Sequence, residues 1–203
     1  MSDRSLLILG VAAMAAIVVA SNVLVQILLG DWLTWGALTY PVAFLVTDLS
    51  NRLLGPAAAR RVVLAGFATG VACSLAAAGL GATTLRIALG SGLAFLAAQL
   101  LDVAVFDRLR EGRWWRAPLV SSLAGSALDT ALFFTLAFSA ALSPLLPGDV
   151  AWANESLPLL GLGPAAPLWI SLAVADFAVK LALALLALAP FRAAATALSA
   201  RSA

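Results

Sequence analysis

The chain has 203 residues, 63% of them apolar and 11% charged, with a net charge of +2 and a mean hydropathy of +1.05. Soluble domains run at about 45–50% apolar and about 25% charged, so this composition excludes a water-soluble fold and leaves room for about six or seven membrane spans of about 20 residues each. With no histidine, a single cysteine (Cys73) and no Walker-type phosphate loop, the chain also excludes His-based triads, His-ligated zinc and haem, disulfide frameworks and P-loop nucleotide hydrolysis, so no enzyme activity, cofactor or metal is expected.

Six apolar spans follow in chain order. The first covers about 5–29. Val18-Val19-Ala20 imitates a leader cleavage site, yet the apolar run continues past it, which favours a span. The second covers about 35–53, the third 62–80, the fourth 85–106, the fifth 117–142 and the sixth 167–189, with Gly30, Gly55-Pro56 and Gly79-x-Gly81 as turn signals. Residues 143–166 carry Pro144, Pro147, Pro158 and Pro164, too many prolines for a continuous helix. The expected architecture is an all-α integral membrane protein, a single six-helix bundle over 1–203.

Charge placement predicts the orientation, because Lys and Arg accumulate on the cytoplasmic side. Arg4, then Arg52, Arg60 and Arg61, then Arg108, Arg110, Arg113 and Arg116, and finally Arg192 and Arg201 fall on one side, and Arg86 alone on the other. Both termini are therefore expected in the cytoplasm, and topology rather than nucleic-acid binding accounts for the basic balance. Trp32, Trp35, Trp114, Trp115 and Trp152 lie near span ends, where interfacial anchors belong. Gly66-x-x-x-Gly70 offers a small-residue face for close helix packing.

A charge near the bilayer centre costs about 2.5–3.5 kcal/mol on insertion scales, so each one present needs a partner or a wet cavity. Here polar residues recur at helical spacing: Asn22 and Gln26 on the first span, Asp48 and Asn51 on the second, Gln99 and Asp102 on the fourth, Ser122, Ser126, Asp129 and Thr130 on the fifth, Asp176 and Lys180 on the sixth. Separations of three or four share one helical face, which should turn toward a common interior. Asp176 with Lys180, and Asp48 with Arg52, are spaced for intrahelical ion pairs. Asp129 has no basic neighbour in sequence.

The stretch from Tyr40-Pro41 through Phe44, Thr47-Asp48, Asn51-Arg52 and Gly55 to Arg60-Arg61 resembles the signature of the queuosine precursor transporter family, a group also described as vitamin uptake transporters. Gly92 to Phe106, Ser121 to Phe133, and Asp176 followed by Lys180 agree with it, so the resemblance runs from about Asn22 to Lys180. Arg52 and Leu54 stand where many relatives carry Glu and an aromatic residue, and neither is given a ligand role.

The resemblance implies a multi-pass importer in the bacterial inner membrane for 7-cyano-7-deazaguanine and its aminomethyl relative. A guanine-like edge presents two adjacent N–H donors, which match a carboxylate, and a carbonyl, which an amide satisfies. Asp129 or Asp102 would take the donors, Asn22, Gln26 or Gln99 the carbonyl, and Phe44, Phe95 or Phe133 the ring faces, with Asp48, Ser126, Asp176 and Lys180 completing the substrate-binding set. Two rival readings are a capture subunit that needs a separate ATPase, and a scaffold without a ligand. A homo-oligomer is compatible with each. A proton carried on Asp129 or Asp176, or facilitated diffusion with trapping, would supply the direction of uptake.

Overall fold

The computed structural model describes residues 2–202, with side chains described through residue 198; Met1, Ala203 and the side chain of Arg201 lie outside the described residues. Helix α1 (Asp3–Leu24) starts at Ser2, whose hydroxyl accepts from the Ser5 amide. It ends before a two-residue hairpin, β1 (Leu28–Leu29) with β2 (Leu33–Thr34), that turns the chain at Gly30. The predicted first span is thus shorter than its apolar run, and Gln26 lies beyond the helix, exposed in the turn. The expectation that Asn22 and Gln26 share a helical face is corrected accordingly: a backbone that leaves the helix after Leu24 no longer keeps the four-residue register.

The second predicted span is a broken helix. α2 (Trp35–Thr39) and α3 (Val42–Leu54) are separated at Tyr40-Pro41. Pro41 has no N–H, and its ring crowds the carbonyl of the preceding turn. The chain closes the gap with three-residue turns, from the Ala43 amide to the Tyr40 carbonyl and from Phe44 to Pro41. At about 1.5 Å per residue, α3 alone is too short for a hydrocarbon core about 30 Å thick. Among the described residues, the helices long and apolar enough to cross are α1, α4 (Pro56–Gly79), α5 (Leu85–Leu109), α6 (Arg116–Phe138) and α7 (Leu168–Ser202), whose membrane-capable stretch covers Leu168–Leu198. α4 starts six residues before the predicted third span, with Pro56 in its first turn, where a missing N–H costs nothing. α7 continues through Pro190 instead of stopping at residue 189.

Between α6 and α7 the proline-rich segment forms three single 3₁₀ turns and a hairpin, β3 (Ser156–Pro158) antiparallel to β4 (Ala165–Pro167). Asn154 holds it to the end of α6, its amide donating to the Phe138 carbonyl at 2.8 Å.

α5 packs most extensively on α6, α1 on α4, and α4 on α5. The Gly66/Gly70 face receives α1: a Cβ on Gly66 would stand 2.5 Å from Met14 Cγ, and one on Gly70 3.2 Å from Val18 Cγ1. Met14, Val18, Val62, Val63 and Phe95 form the resulting core, while Ile8, Leu9, Val19, Leu64 and Leu75 face outward, as lipid-exposed positions do. α3 and α5 lie parallel, since Thr47 bonds Gln99 and, one turn on, Asn51 bonds the Val103 carbonyl.

Arg86, the one arginine expected on the far side, is buried. Its guanidinium donates to the Leu136 carbonyl (2.9 Å), the Ser139 carbonyl (2.6 Å) and the Ser143 hydroxyl (3.2 Å). It caps the C-terminal end of α6, where unpaired carbonyls carry partial negative charge. Arg86→Met, which leaves these acceptors unpaired, should destabilise the chain by about 2–3 kcal/mol, read by thermal unfolding in detergent, with Arg86→Lys recovering part of the loss.

Candidate functional site

Lys180 sits about a third of the way along α7 with a side chain only 3% exposed. Its ammonium donates three hydrogen bonds: to Asp129 Oδ2 at 2.6 Å, Asp176 Oδ2 at 2.6 Å and Thr130 Oγ1 at 3.0 Å. An ammonium has three hydrogens, so all are engaged. The Thr130 hydroxyl donates in turn to Asp176 Oδ2 at 2.9 Å. The spaced pair on α7 therefore forms, and Asp129, which has no basic neighbour in sequence, receives its cation from α7. The Tyr40 ring lies 5.9 Å from the Lys180 ammonium, and its hydroxyl lies against Asp129. The break at Pro41 lets Tyr40 leave the α3 face and lie between α6 and α7 on one side and α5 on the other, where it meets Phe95 edge-to-face at 5.9 Å.

Two clefts flank Tyr40 and Lys180. One, of about 330 Å³ including its open mouth, lies between α3, α6 and α7 and is lined by Phe44, Asp48, Ser122, Ser126 and Lys180 among others. The other, of about 250 Å³ again including its open mouth, lies between α1, α4 and α5 and is lined by Asn22, Tyr40, Phe67, Ser91 and Phe95 among others. Phe44 is fixed by Gly125: a Cβ there would stand 2.5 Å from Phe44 Cε1 and 3.2 Å from the Ala98 carbonyl. Asn22 donates to the Val18 carbonyl and accepts from Ser74, at 2.9 and 3.0 Å.

A second polar cluster lies nearer the C-terminal ends of α3 and α5. Asp48 accepts from Ser121 at 3.0 Å and Ser122 at 3.2 Å. The expected Asp48–Arg52 pair does not form. Arg52 donates instead to the Arg110 carbonyl at 3.1 Å, because it stands one turn on, at the exposed end of α3, while the Asp48 side chain is buried toward α6. Asp102, fully buried, lies against Asp48, and neither of its oxygens receives a hydrogen bond. Gln99 accepts from Thr47 at 2.5 Å, leaving its Nε2 without an acceptor.

The predicted residues are thus brought to four places. Asp129, Asp176 and Lys180 meet directly; Asp48, Asp102 and Gln99 lie in the α3/α5 cluster; Asn22 and Phe95 line the second cleft, and Phe44 and Ser126 the first. Gln26 is exposed, and Phe133 packs with Phe134 and Phe138 near the far end of α6, lining neither cleft. Among the described residues no group of three or more His, Cys, Asp and Glu is placed to hold a metal. Tyr40, Thr47, Ser121 and Thr130 are the polar contacts that the predicted set omits. The single tyrosine beside a proline inside an apolar span was the signal available for Tyr40.

Residues 34–195 match the family described as "Putative vitamin uptake transporter". The chain belongs to that family. It is similar to the queuosine precursor transporter of Escherichia coli, 39% identical over 141 residues, covering 60% of this chain and 64% of the relative. It is also similar to the probable queuosine precursor transporter of Haemophilus influenzae, 36% identical over 129 residues and covering 56% and 55%. To the probable queuosine precursor transporter of Bacillus subtilis it is 28% identical over 184 residues, covering 79% and 71%. The matched region spans under two thirds of the first two relatives' lengths. No solved structure matches this chain. With five membrane-capable helices among the described residues, this family member is a multi-pass membrane protein.

Removing Lys180 leaves the buried Asp129 and the largely buried Asp176 without their cation, which costs about 3–5 kcal/mol. Lys180→Met should therefore unfold at markedly lower temperature in detergent. Adding Asp129→Asn and Asp176→Asn to it should restore most of that stability.

Proposed function

We propose that this family member imports queuosine precursors, 7-cyano-7-deazaguanine and 7-aminomethyl-7-deazaguanine, across the bacterial inner membrane, with both termini in the cytoplasm. The observation that carries this reading is the Asp129–Lys180–Asp176 array beside Tyr40, a set of ionic and aromatic groups held between two clefts inside an apolar bundle. Such groups are costly in a membrane and mark pathways for polar solutes. The names of the relatives supply the substrate class, and the arginine distribution supplies the orientation.

In this reading the adjacent N–H donors of the base pair with the Asp129 carboxylate while Lys180 stays on Asp176. Tyr40 and Phe95 cover the ring. Gln99, whose Nε2 lacks an acceptor, or Asn22 at the cleft, meets the carbonyl. Phe44 and Ser126 line the path on the α7 side.

Asp129→Asn keeps the size of the side chain but removes its charge and one of its acceptors. Uptake of labelled 7-cyano-7-deazaguanine by a queuosine-auxotrophic host should fall by about 100-fold, the equivalent of one strong charged hydrogen bond. Undiminished uptake at equal protein level removes Asp129 from the site. Calorimetry on the purified chain should show binding of 7-cyano-7-deazaguanine and none of biotin. Transport by the chain alone in liposomes is expected; binding without transport assigns it to an ATPase-driven assembly.

A further inference from the structure

The Lys180 cluster contains its own counter-ion, but the Asp48–Asp102 cluster does not. Asp102 is 0% exposed and Asp48 2%, and the two carboxyl groups are in contact. Ionised carboxylates only accept hydrogen bonds, so two of them in contact repel unless a positive charge lies between them. The hydroxyl donors at hand are already committed, and the free Gln99 Nε2, one turn before Asp102 on α5, makes no hydrogen bond to it. Ser121 and Ser122 have one hydroxyl hydrogen each; Ser122 gives its own to Asp48, and Ser121 lies 3.0 Å from Asp48 and 3.4 Å from the Pro118 carbonyl. Asn51, on the same α3 face, gives its amide to the Val103 carbonyl and leaves its Oδ1 without a donor. Asp102 is left with two acceptor oxygens and no hydrogen bond.

The charged groups on the packed elements do not fill the gap. On α7, Lys180 is fully engaged by Asp129, Asp176 and Thr130. On α3, Arg52 donates to the Arg110 carbonyl. After α5, Arg110 pairs with Asp107 and donates to the Asn51 carbonyl. On α4, Arg60 and Arg61 are exposed, as are Asp3 and Arg4 on α1 and Arg108 on α5. On α6, Arg116 lies in the first turn, and Asp129, about two turns beyond Ser122, is paired with Lys180. The space also limits what can enter, since Asp102 lines neither cleft and carboxyls in contact leave no room for a hydrated metal ion.

We infer that Asp48 and Asp102 form a shared-proton site, in which one proton bridges the two carboxyl groups and is released to the cytoplasm as substrate is delivered. This deepens the transport reading and rests on it for the coupling step. Asp48 provides the exit, because it lines the same cleft as Lys180, whereas Asp102 is closed off. The proton arrives from the opposite side and bonds to a carboxylate oxygen; on release that O–H bond breaks and the proton leaves to water in the cleft. Rearrangement at Lys180 changes the field at Asp48 along a poorly screened interior, which links substrate movement to proton release.

The full-length purified chain tests the site directly by infrared spectroscopy. The wild type near neutral pH should show a protonated-carboxyl C=O band that shifts in heavy water. Asp102→Asn should lose it, because Asp48 then has three neighbouring donors and ionises. A wild type without the band, or an Asp102→Asn protein that retains it unchanged, overturns the site. In proteoliposomes, an inward gradient of one pH unit should drive about tenfold accumulation of 7-cyano-7-deazaguanine for one proton per neutral substrate. Asp102 lines neither cleft and has no part in the contacts proposed for the base, which fall to Asp129, so Asp102→Asn should still bind the compound in calorimetry and equilibrate it, with accumulation reduced to about onefold. Wild-type accumulation in the variant, or a wild type driven by sodium instead of protons, overturns the coupling. Failure to bind any deazapurine removes the proposed substrate and with it the coupling, while the infrared band still decides the proton site.

Discussion

The interior of this bundle is organised by one amine. Lys180 is almost wholly buried, so its charge persists because three oxygens from two helices surround it. That requirement fixes the rotation of α6 and α7 about their axes, since Asp129 and Thr130 must face the same point as Asp176. It also fixes the placement of the break before α3: Tyr40 lies over the ammonium because α2 ends where it does. Once α6 is oriented, Gly125 and Ser126 face α3, and Phe44 fills the space that a larger residue at 125 would occupy.

The acids thus fall into two electrically different places on the same helices. The Lys180 cluster is an ion-pair network; the α3/α5 cluster has three buried acceptor atoms without a hydrogen and one amide donor, Gln99 Nε2, without an acceptor. Along α6 they are about seven residues apart, from Ser122 to Asp129, roughly 10 Å by helical rise. The parallel pairing of α3 with α5 through Thr47–Gln99 and Asn51–Val103 holds the second cluster rigid.

Composition made the membrane class legible, and hydropathy the positions of most helices, because both depend on sums over many residues. Spacing made Asp176–Lys180 legible, since a partner four residues away shares a helical face whatever the tertiary fold. Asp129 gave only half its story: its cation is 51 residues away, and no local pattern specifies which helix α6 packs against. Gln26 and the Asp48–Arg52 pair misled for a common reason. Spacing assumes a continuous helix and equal burial, yet the chain leaves the helix after Leu24, and Asp48 is buried one turn before the solvent-facing Arg52. Arg86 was readable as an isolated charge but not as a cap, because its acceptors belong to the end of a different helix.

The full engagement of Lys180 bears on selectivity in a way that size and shape do not. With every ammonium hydrogen directed at a protein oxygen, the array has no hydrogen left to offer, and what it presents to a ligand is lone pairs. A purine with an oxo group in place of the amino group has nearly the same outline, yet it would set its own lone pairs against those of Asp129. The proposed site therefore sorts its ligands by where their hydrogens are, and a xanthine-like base is rejected by the same contact that holds a guanine-like one.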